Sequence, residues 1–117
     1  MAKIKEAISL VTNSHNTISA GTQITGDIVA EEDFRIDGIV EGNIVCKKKI
    51  IIGSEGKITG DIDCANLELL GSIKGNVACV ENTILRSSAS LIGDIKTDTI
   101  EIEPGAKLDG HCSMYKK

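Results

Sequence analysis

The sequence predicts an all-β, single-domain parallel β-helix, a triangular solenoid of about six coils. Three observations support this fold class. A five-residue pattern recurs six times, with its glycines 15 to 18 residues apart. Apolar residues within each segment alternate with a period of two. Aromatic residues are nearly absent, with one Phe, one Tyr and no Trp among 117 residues, so a narrow core of stacked aliphatic layers is favoured over a spherical one.

The recurring pattern is an aliphatic residue, any residue, Gly, a small polar residue and an aliphatic residue. It occupies residues 24–28, 40–44, 58–62, 73–77 and 91–95, with a weaker copy at 108–112. A period of two predicts strands that bury one face. Each unit of about seventeen residues has room for roughly three short strands. Because the same positions repeat in every unit, we expect coils stacked in register about 4.8 Å apart.

Two further columns follow from this alignment. A second apolar alternation comprises Phe34/Ile36, Ile50/Ile52, Leu67/Leu69 and Ile100/Ile102, and is irregular in the fourth unit, where Ile84 and Leu85 are adjacent. The polar position after each glycine is expected to form an outward, solvated column at a turn, made of Asp27, Asn43, Asp61, Asn76, Asp94 and His111. A calcium array would require nine-residue Gly/Asp repeats, which the chain lacks.

Composition excludes several classes of function. A formal net charge of −4 and only two arginines argue against nucleic acid as a partner. No apolar run is long enough to span a bilayer, and Glu6 interrupts any secretory apolar segment. We therefore expect a cytoplasmic protein with a tail at residues 1–15, a β-helix domain at residues 16–114 and a short tail at residues 115–117.

Four cysteines are the residues most suggestive of chemistry. Cys46, Cys64 and Cys79 share one column, and Cys112 lies in the inward column two residues earlier. In a cytoplasmic protein they are expected to be reduced. There is no C-x-x-C pair and no adjacent His, so packing as small buried residues is the favoured interpretation. No metal site, cofactor or catalytic residue is predicted.

The repeats resemble those of the bactofilin family. The resemblance rests on residues 34–44 (FRIDGIVEGNI) and 53–62 (GSEGKITGDI) and extends over about residues 16–114. It implies a right-handed β-helix that polymerises end to end without nucleotide. It also implies filaments at the inner membrane that scaffold cell-shape or cell-wall proteins. The partners implied are further copies of the chain, the membrane surface and envelope proteins.

A solenoid without caps exposes a cross-section of its core at each end. Neither end of this sequence contains a polar capping repeat, so both ends are expected to bind further copies. The residues predicted at these polymerisation ends are Ile18, Ile24 and Ile28 in the first coil and Leu108, Cys112 and Met114 in the last.

The N-terminal segment allows two interpretations. Ile4, Ile8 and Val11 recur at helical spacing with Lys3 and Lys5 nearby, which suits contact with an anionic membrane surface. The segment is too short to be helical alone, so a disordered tail is the alternative.

Two other functions fit a solenoid of this size. A hexapeptide-repeat acyltransferase is disfavoured because the six-residue phase breaks at 36–40 and 70–73. His15 and His111 also lack an evident partner for general-base catalysis. A monomeric binding platform remains open, although the outward residues form no aromatic or strongly charged patch.

Overall fold

A computed structural model describes residues 15–115, and it is a solenoid of parallel β-strands. In this range the strands are β1 (His15–Ile18), β2 (Gln23–Thr25), β3 (Ile28–Ala30), β4 (Asp33–Ile36), β5 (Ile39–Glu41), β6 (Ile44–Cys46), β7 (Lys49–Ile52), β8 (Lys57–Thr59), β9 (Ile62–Leu69), β10 (Ser72–Lys74), β11 (Val77–Leu85), β12 (Ser90–Ile92), β13 (Ile95–Ile102), β14 (Lys107–Asp109) and β15 (Cys112–Met114).

The strands form three faces of six coils each. Face 1 contains β1, β4, β7 and the second halves of β9, β11 and β13. Face 2 is the six-stranded sheet β2-β5-β8-β10-β12-β14. Face 3 contains β3, β6, the first halves of β9, β11 and β13, and β15. The predicted fold class and the three strands per coil are confirmed.

The inward columns are paired in the predicted register. On face 2 each pattern aliphatic lies beside its equivalent in the next coil, in the order Ile24, Val40, Ile58, Ile73, Leu91 and Leu108. The middle members of this column are at most 1% exposed. Aliphatic burial of this kind is the main stabilising contribution to the fold, and stacking gives each inward side chain of the middle coils two similar neighbours.

The irregular fourth unit is explained by a β-bulge. Val80 and Glu81 of β11 occupy the corner that Ala65 alone occupies in β9, so the register shifts between Cys79 and Asn82. After the shift Thr83 and Leu85 point inward, and Ile84 is only half-buried. The buried Thr83 hydroxyl donates to the Thr97 hydroxyl at 3.0 Å, which satisfies a polar group inside the core.

Candidate polymerisation surfaces

The last coil leaves part of the core open to solvent. Ile102 is 50% exposed, whereas Leu85 and Leu69, its equivalents in the two preceding coils, are 0% exposed. Met114 is 49% exposed, and Cys112 is also exposed. Leu108 and Ile100 are half-buried. These residues belong to inward columns, and within the described residues 15–115 no further coil follows to cover them.

The first coil is more completely covered. Ile24 and Ile28 are half-buried, in agreement with a position at an end of the core. Ile18, predicted beside them at the open end, is only 6% exposed, and Ala30 is 7% exposed. Ile18 therefore presents little free surface in the isolated chain, and the two ends differ in how much apolar area they offer.

Sequence reasoning missed two residues of the C-terminal end. Ile100 and Ile102 were recognised as inward by their alternation, but the last coil extends back to Thr99, so both belong to it. The signal was present in the spacing, because Thr99 aligns with Asn82 one coil earlier.

Both ends also present strand edges. Among the described residues β2 pairs only with β5 and β14 only with β12. Similarly, β15 pairs only with β13. Unpaired edge strands are templates for pairing with another chain. Within residues 15–115, each end thus combines apolar side chains with strand edges that pair on one side only.

A ladder of side-chain hydrogen bonds connects the coils at the corner between faces 2 and 3. Each Asp or Asn after the pattern glycine accepts a hydrogen bond from the backbone N–H of the equivalent residue in the next coil. The five bonds are 3.0–3.1 Å long and join Asp27 to Asn43, Asn43 to Asp61, Asp61 to Asn76, Asn76 to Asp94 and Asp94 to His111. The sequence predicted this column as a solvated turn. The hydrogen bonds by which it joins the coils were not predicted.

Asn43→Ala should destabilise the subunit by about 1 kcal/mol, because the N–H of Asp61 loses the Asn43 Oδ1 acceptor at 3.0 Å. Asn43→Asp keeps an acceptor and serves as the matched control. Thermal unfolding of both variants would measure the difference, and equal melting temperatures would show that the ladder adds nothing.

The glycine that precedes each ladder residue is required by close packing. Gly60 has φ of +143°, a conformation that favours glycine, and a Cβ at this position would overlap the carbonyl oxygen of Gly42. Gly42, Gly75, Gly93 and Gly110 have the same relation to the glycine one coil earlier. Gly26 differs, since its Cβ position has no atom within 4 Å. Gly26 lies in the first coil of the described residues, so it has no equivalent glycine one coil earlier among them.

Ion pairs bind the last coil to those before it. Arg86 donates to Glu68 at 2.9 Å and to Glu103 at 2.7 Å, which lie in the preceding and following coils. The Arg86 hydrogen bond lowers the pKa of Glu103. The Arg86–Glu103 pair is solvent-accessible. It therefore contributes little to the free energy of unfolding and mainly keeps the neighbouring coils aligned.

The three cysteines that share a column pack as small side chains inside the core. Cys46, Cys64 and Cys79 are 0–3% exposed, and Cys79 Sγ donates to the carbonyl oxygens of Ala65 and Asn82 at 3.2 Å. A hydrogen bond with Cys79 and burial both raise the pKa of Cys64, and burial raises the pKa of Cys46. The raised pKa values disfavour the thiolate form of Cys46 and Cys64. Hydrogen bonds with Cys64, Thr83 and Thr97 instead lower the pKa of Cys79 to about 6, so slow reaction of Cys79 depends on its burial, at 0% exposed.

Other predicted features fall outside these surfaces. The membrane-contact residues Lys3, Ile4, Lys5, Ile8 and Val11 lie outside the described residues. Within residues 15–115 no helix has the length and apolar character to cross a membrane. In the same range no three His, Cys, Asp or Glu side chains are grouped to hold a metal ion.

Comparison with known proteins identifies the family. The bactofilin family model, described as "Polymer-forming cytoskeletal", matches residues 16–113. The chain belongs to the bactofilin family. Bactofilins form polymers, so open ends are expected of a subunit of this kind. No protein with a curated description matches the chain.

Solved bactofilin structures share the fold. Double helical filaments of Thermus thermophilus bactofilin match at TM-score 0.81 and 23% identity, over 86% of this chain and 99% of that one. The bactofilin BacA, solved by solid-state NMR, matches at TM-score 0.78 and 23% identity, over 88% and 98%. A crystal structure of a point mutant of the Thermus protein matches at TM-score 0.73 and 22% identity, over 77% and 100%. At these identities the likeness establishes the β-solenoid fold.

Proposed function

We propose that the chain is the subunit of a cytoplasmic filament that grows end to end without nucleotide. The observation that carries the proposal is the exposure of the last coil, where Ile102 is 50% exposed in a column that is otherwise closed. A further coil from another subunit would cover these aliphatic side chains and pair the free edges of β14 and β15. Membership of a polymer-forming cytoskeletal family also supports the proposal that the chain assembles into filaments.

Self-association is favoured over a monomeric platform for a physical reason. The apolar surface at the C-terminal end is part of an inward column, so a coil of the same shape matches it best. Burial of each such side chain stabilises the joint by roughly 1 kcal/mol or more. Strand pairing adds about 1 kcal/mol for each backbone hydrogen bond.

Thiol labelling should show whether the joint between subunits covers the last coil. In the subunit Cys112 is exposed, whereas Cys46, Cys64 and Cys79 are buried. Cys112 should therefore react rapidly with a maleimide in dilute subunits and be protected in filaments, with the other three slow in both states. Mass spectrometry of the labelled peptides measures the rates. Equal reactivity of Cys112 in subunits and filaments would exclude a joint through the last coil.

We further propose that the filament lies on the cytoplasmic face of the inner membrane and scaffolds cell-shape or cell-wall proteins. The helical spacing of Ile4, Ile8 and Val11, with Lys3 and Lys5 nearby, supports contact with anionic lipid. A single segment binds weakly, but many copies along one filament bind together.

Deletion of residues 2–12 tests the membrane proposal. The truncated protein should still pellet as filaments, because the described β-helix begins at His15, but should lose co-sedimentation with anionic liposomes. Neutral liposomes are the control for non-specific binding. Full liposome binding by the truncated filaments would contradict a membrane role for the segment.

A further inference from the structure

Two of the buried cysteines are direct neighbours in adjacent coils. Cys64 in β9 and Cys79 in β11 are paired in register on parallel strands. Both side chains point into the core, and they are 2% and 0% exposed. Strands in register lie about 4.8 Å apart, within the roughly 4.4–6.8 Å between Cα atoms that a disulfide spans. The two thiols therefore face the same space at a separation that a disulfide can close.

A hydrogen bond already joins the two sulfur atoms, with the Cys64 thiol as the donor. Cys46 lies in the same column, but its Sγ donates to the carbonyl oxygens of Glu32 at 3.3 Å and Lys49 at 3.9 Å. The ladder between its strand and β9 also ends one residue before it. Cys64 is thus oriented toward Cys79 and not toward Cys46.

The surroundings of Cys79 favour its ionisation over that of Cys46. The hydroxyls of Thr83 and Thr97 hydrogen-bond each other at 3.0 Å, and both lie within hydrogen-bond reach of the Cys79 sulfur. Donors of this kind stabilise a thiolate, against the opposing effect of two backbone carbonyl oxygens at 3.2 Å. Burial raises the pKa of Cys46, so Cys79 is the more readily ionised of the two.

The β-bulge interrupts the wall of the prism beside Cys79. Val80 and Glu81 follow Cys79 directly, and the ladders to β9 and β13 are broken between Cys79 and Asn82. Both bulge residues are exposed. A bulge disrupts strand pairing locally, and local opening costs less free energy than unfolding of the whole domain. Hydrogen peroxide is small enough to enter by such an opening, whereas a maleimide is too large.

We propose that Cys64 and Cys79 form a peroxide-responsive dithiol, which closes to a disulfide and cross-links the third and fourth coils. The Cys79 thiolate attacks one peroxide oxygen and the O–O bond breaks. The hydroxide that leaves takes up the proton that Cys79 released and becomes water.

The second step forms the disulfide. The Cys64 sulfur attacks the sulfenic acid sulfur of Cys79, the S–O bond breaks, and a second water leaves with the Cys64 proton. Two thiols lose two electrons and two protons in total, and one hydrogen peroxide becomes two waters.

The cross-link should make the subunit more resistant to heat. It closes the loop between residues 64 and 79, which restricts the unfolded chain. Oxidised subunits should therefore melt at least about 5 °C higher than reduced ones. The pair lies in the middle of the prism, away from both ends. Free subunits and filaments should therefore be oxidised alike, and oxidation should leave pelleting unchanged.

Mass spectrometry of tryptic peptides from peroxide-treated protein tests the pair. Trypsin places Cys46, Cys64 and Cys79 on separate peptides, at residues 36–47, 58–74 and 75–86. Hydrogen peroxide should link the second and third peptides with the loss of two hydrogens, and dithiothreitol should separate them. Links from the first peptide to either of the others should form roughly tenfold more slowly.

Serine variants distinguish the roles of the two sulfur atoms. Cys64→Ser should leave Cys79 as a sulfenic acid that dimedone traps, whereas Cys79→Ser should leave Cys64 without a dimedone adduct. Cys46→Ser is the matched control, since it makes the same change in the same column and should keep the link. Circular dichroism verifies the fold of each variant.

The parental protein alone is enough to overturn the proposal. Folded, peroxide-treated protein without a link between residues 58–74 and 75–86 would do so, as would equal linkage of Cys46 to Cys64. A dimedone adduct of Cys64 in the Cys79→Ser variant would contradict the assignment of Cys79 as the sulfur that is oxidised first. These measurements apply equally to subunits that do not assemble, so a failure of end-to-end assembly is recognised separately by pelleting.

Discussion

Ile102→Arg should abolish filaments and leave a folded, β-rich subunit. The side chain is 50% exposed in the free subunit, so an arginine there can reach water and folding is little affected. In the proposed filament the next subunit covers the same position, and an unpaired charge buried there costs about 3–5 kcal/mol. The critical concentration for assembly should then rise by two or more powers of ten.

Ile92→Arg is the matched control for this change. Ile92 is 46% exposed, nearly as much as Ile102, but lies on the outer surface of face 2 in β12. The control should assemble normally, so a difference between the two isolates the end of the core from apolar exposure in general. Pelleting and electron microscopy measure assembly, and circular dichroism verifies the fold. Normal filaments of Ile102→Arg would count against a joint through the last coil.

Gly60→Ala should unfold the subunit or destabilise it by more than about 4 kcal/mol. The new methyl would overlap the carbonyl oxygen of Gly42. Gly42 lies at the corner between β5 and β6, and its own N–H donates to the Thr59 carbonyl oxygen at 2.9 Å, so it has little freedom to move. The φ of +143° adds strain for any residue with a side chain. The steric overlap and the backbone strain add to each other, and no flexible side chain lies nearby that could move to relieve them.

Gly26→Ala is the control that introduces the backbone strain without the steric clash. Gly26 has a similar φ of +137°, but no atom lies within 4 Å of its Cβ position. Its cost should be limited to about 1–3 kcal/mol of backbone strain. Urea unfolding of both variants, in an Ile102→Arg background that keeps subunits unassembled, measures the free energies of unfolding. Equal losses at the two positions would show that close approach between coils is unimportant.

The sequence predicted the registers because the repeat itself encodes them. One aliphatic at a fixed distance before each glycine was enough to place Ile58 beside Val40 and Ile73. The glycine spacing alone could not reveal the bulge at Val80 and Glu81. One extra residue lengthens the unit equally whether it lies in a bulge or in a longer turn. For that reason the inward position of Thr83 was missed.

The candidate ends were less predictable than the core. Inward alternation identified Leu108 and Met114. The exposure of Ile102 depends on where the last coil begins, which the sequence spacing indicates and the pairing of Thr99 with Asn82 establishes. The coil-to-coil ladder depends on which side-chain rotamer Asp and Asn adopt at the corner, and a pattern of residue types does not specify it.

Cryo-electron microscopy of protein assembled without nucleotide tests the central claim most directly. In the proposed filament, strand spacing of about 4.8 Å continues from the last coil of one subunit into a coil of the next, with Ile102 and Met114 buried at each joint that a last coil forms. Isolated prisms at high concentration, or polymers in which these two side chains still face solvent, would contradict it.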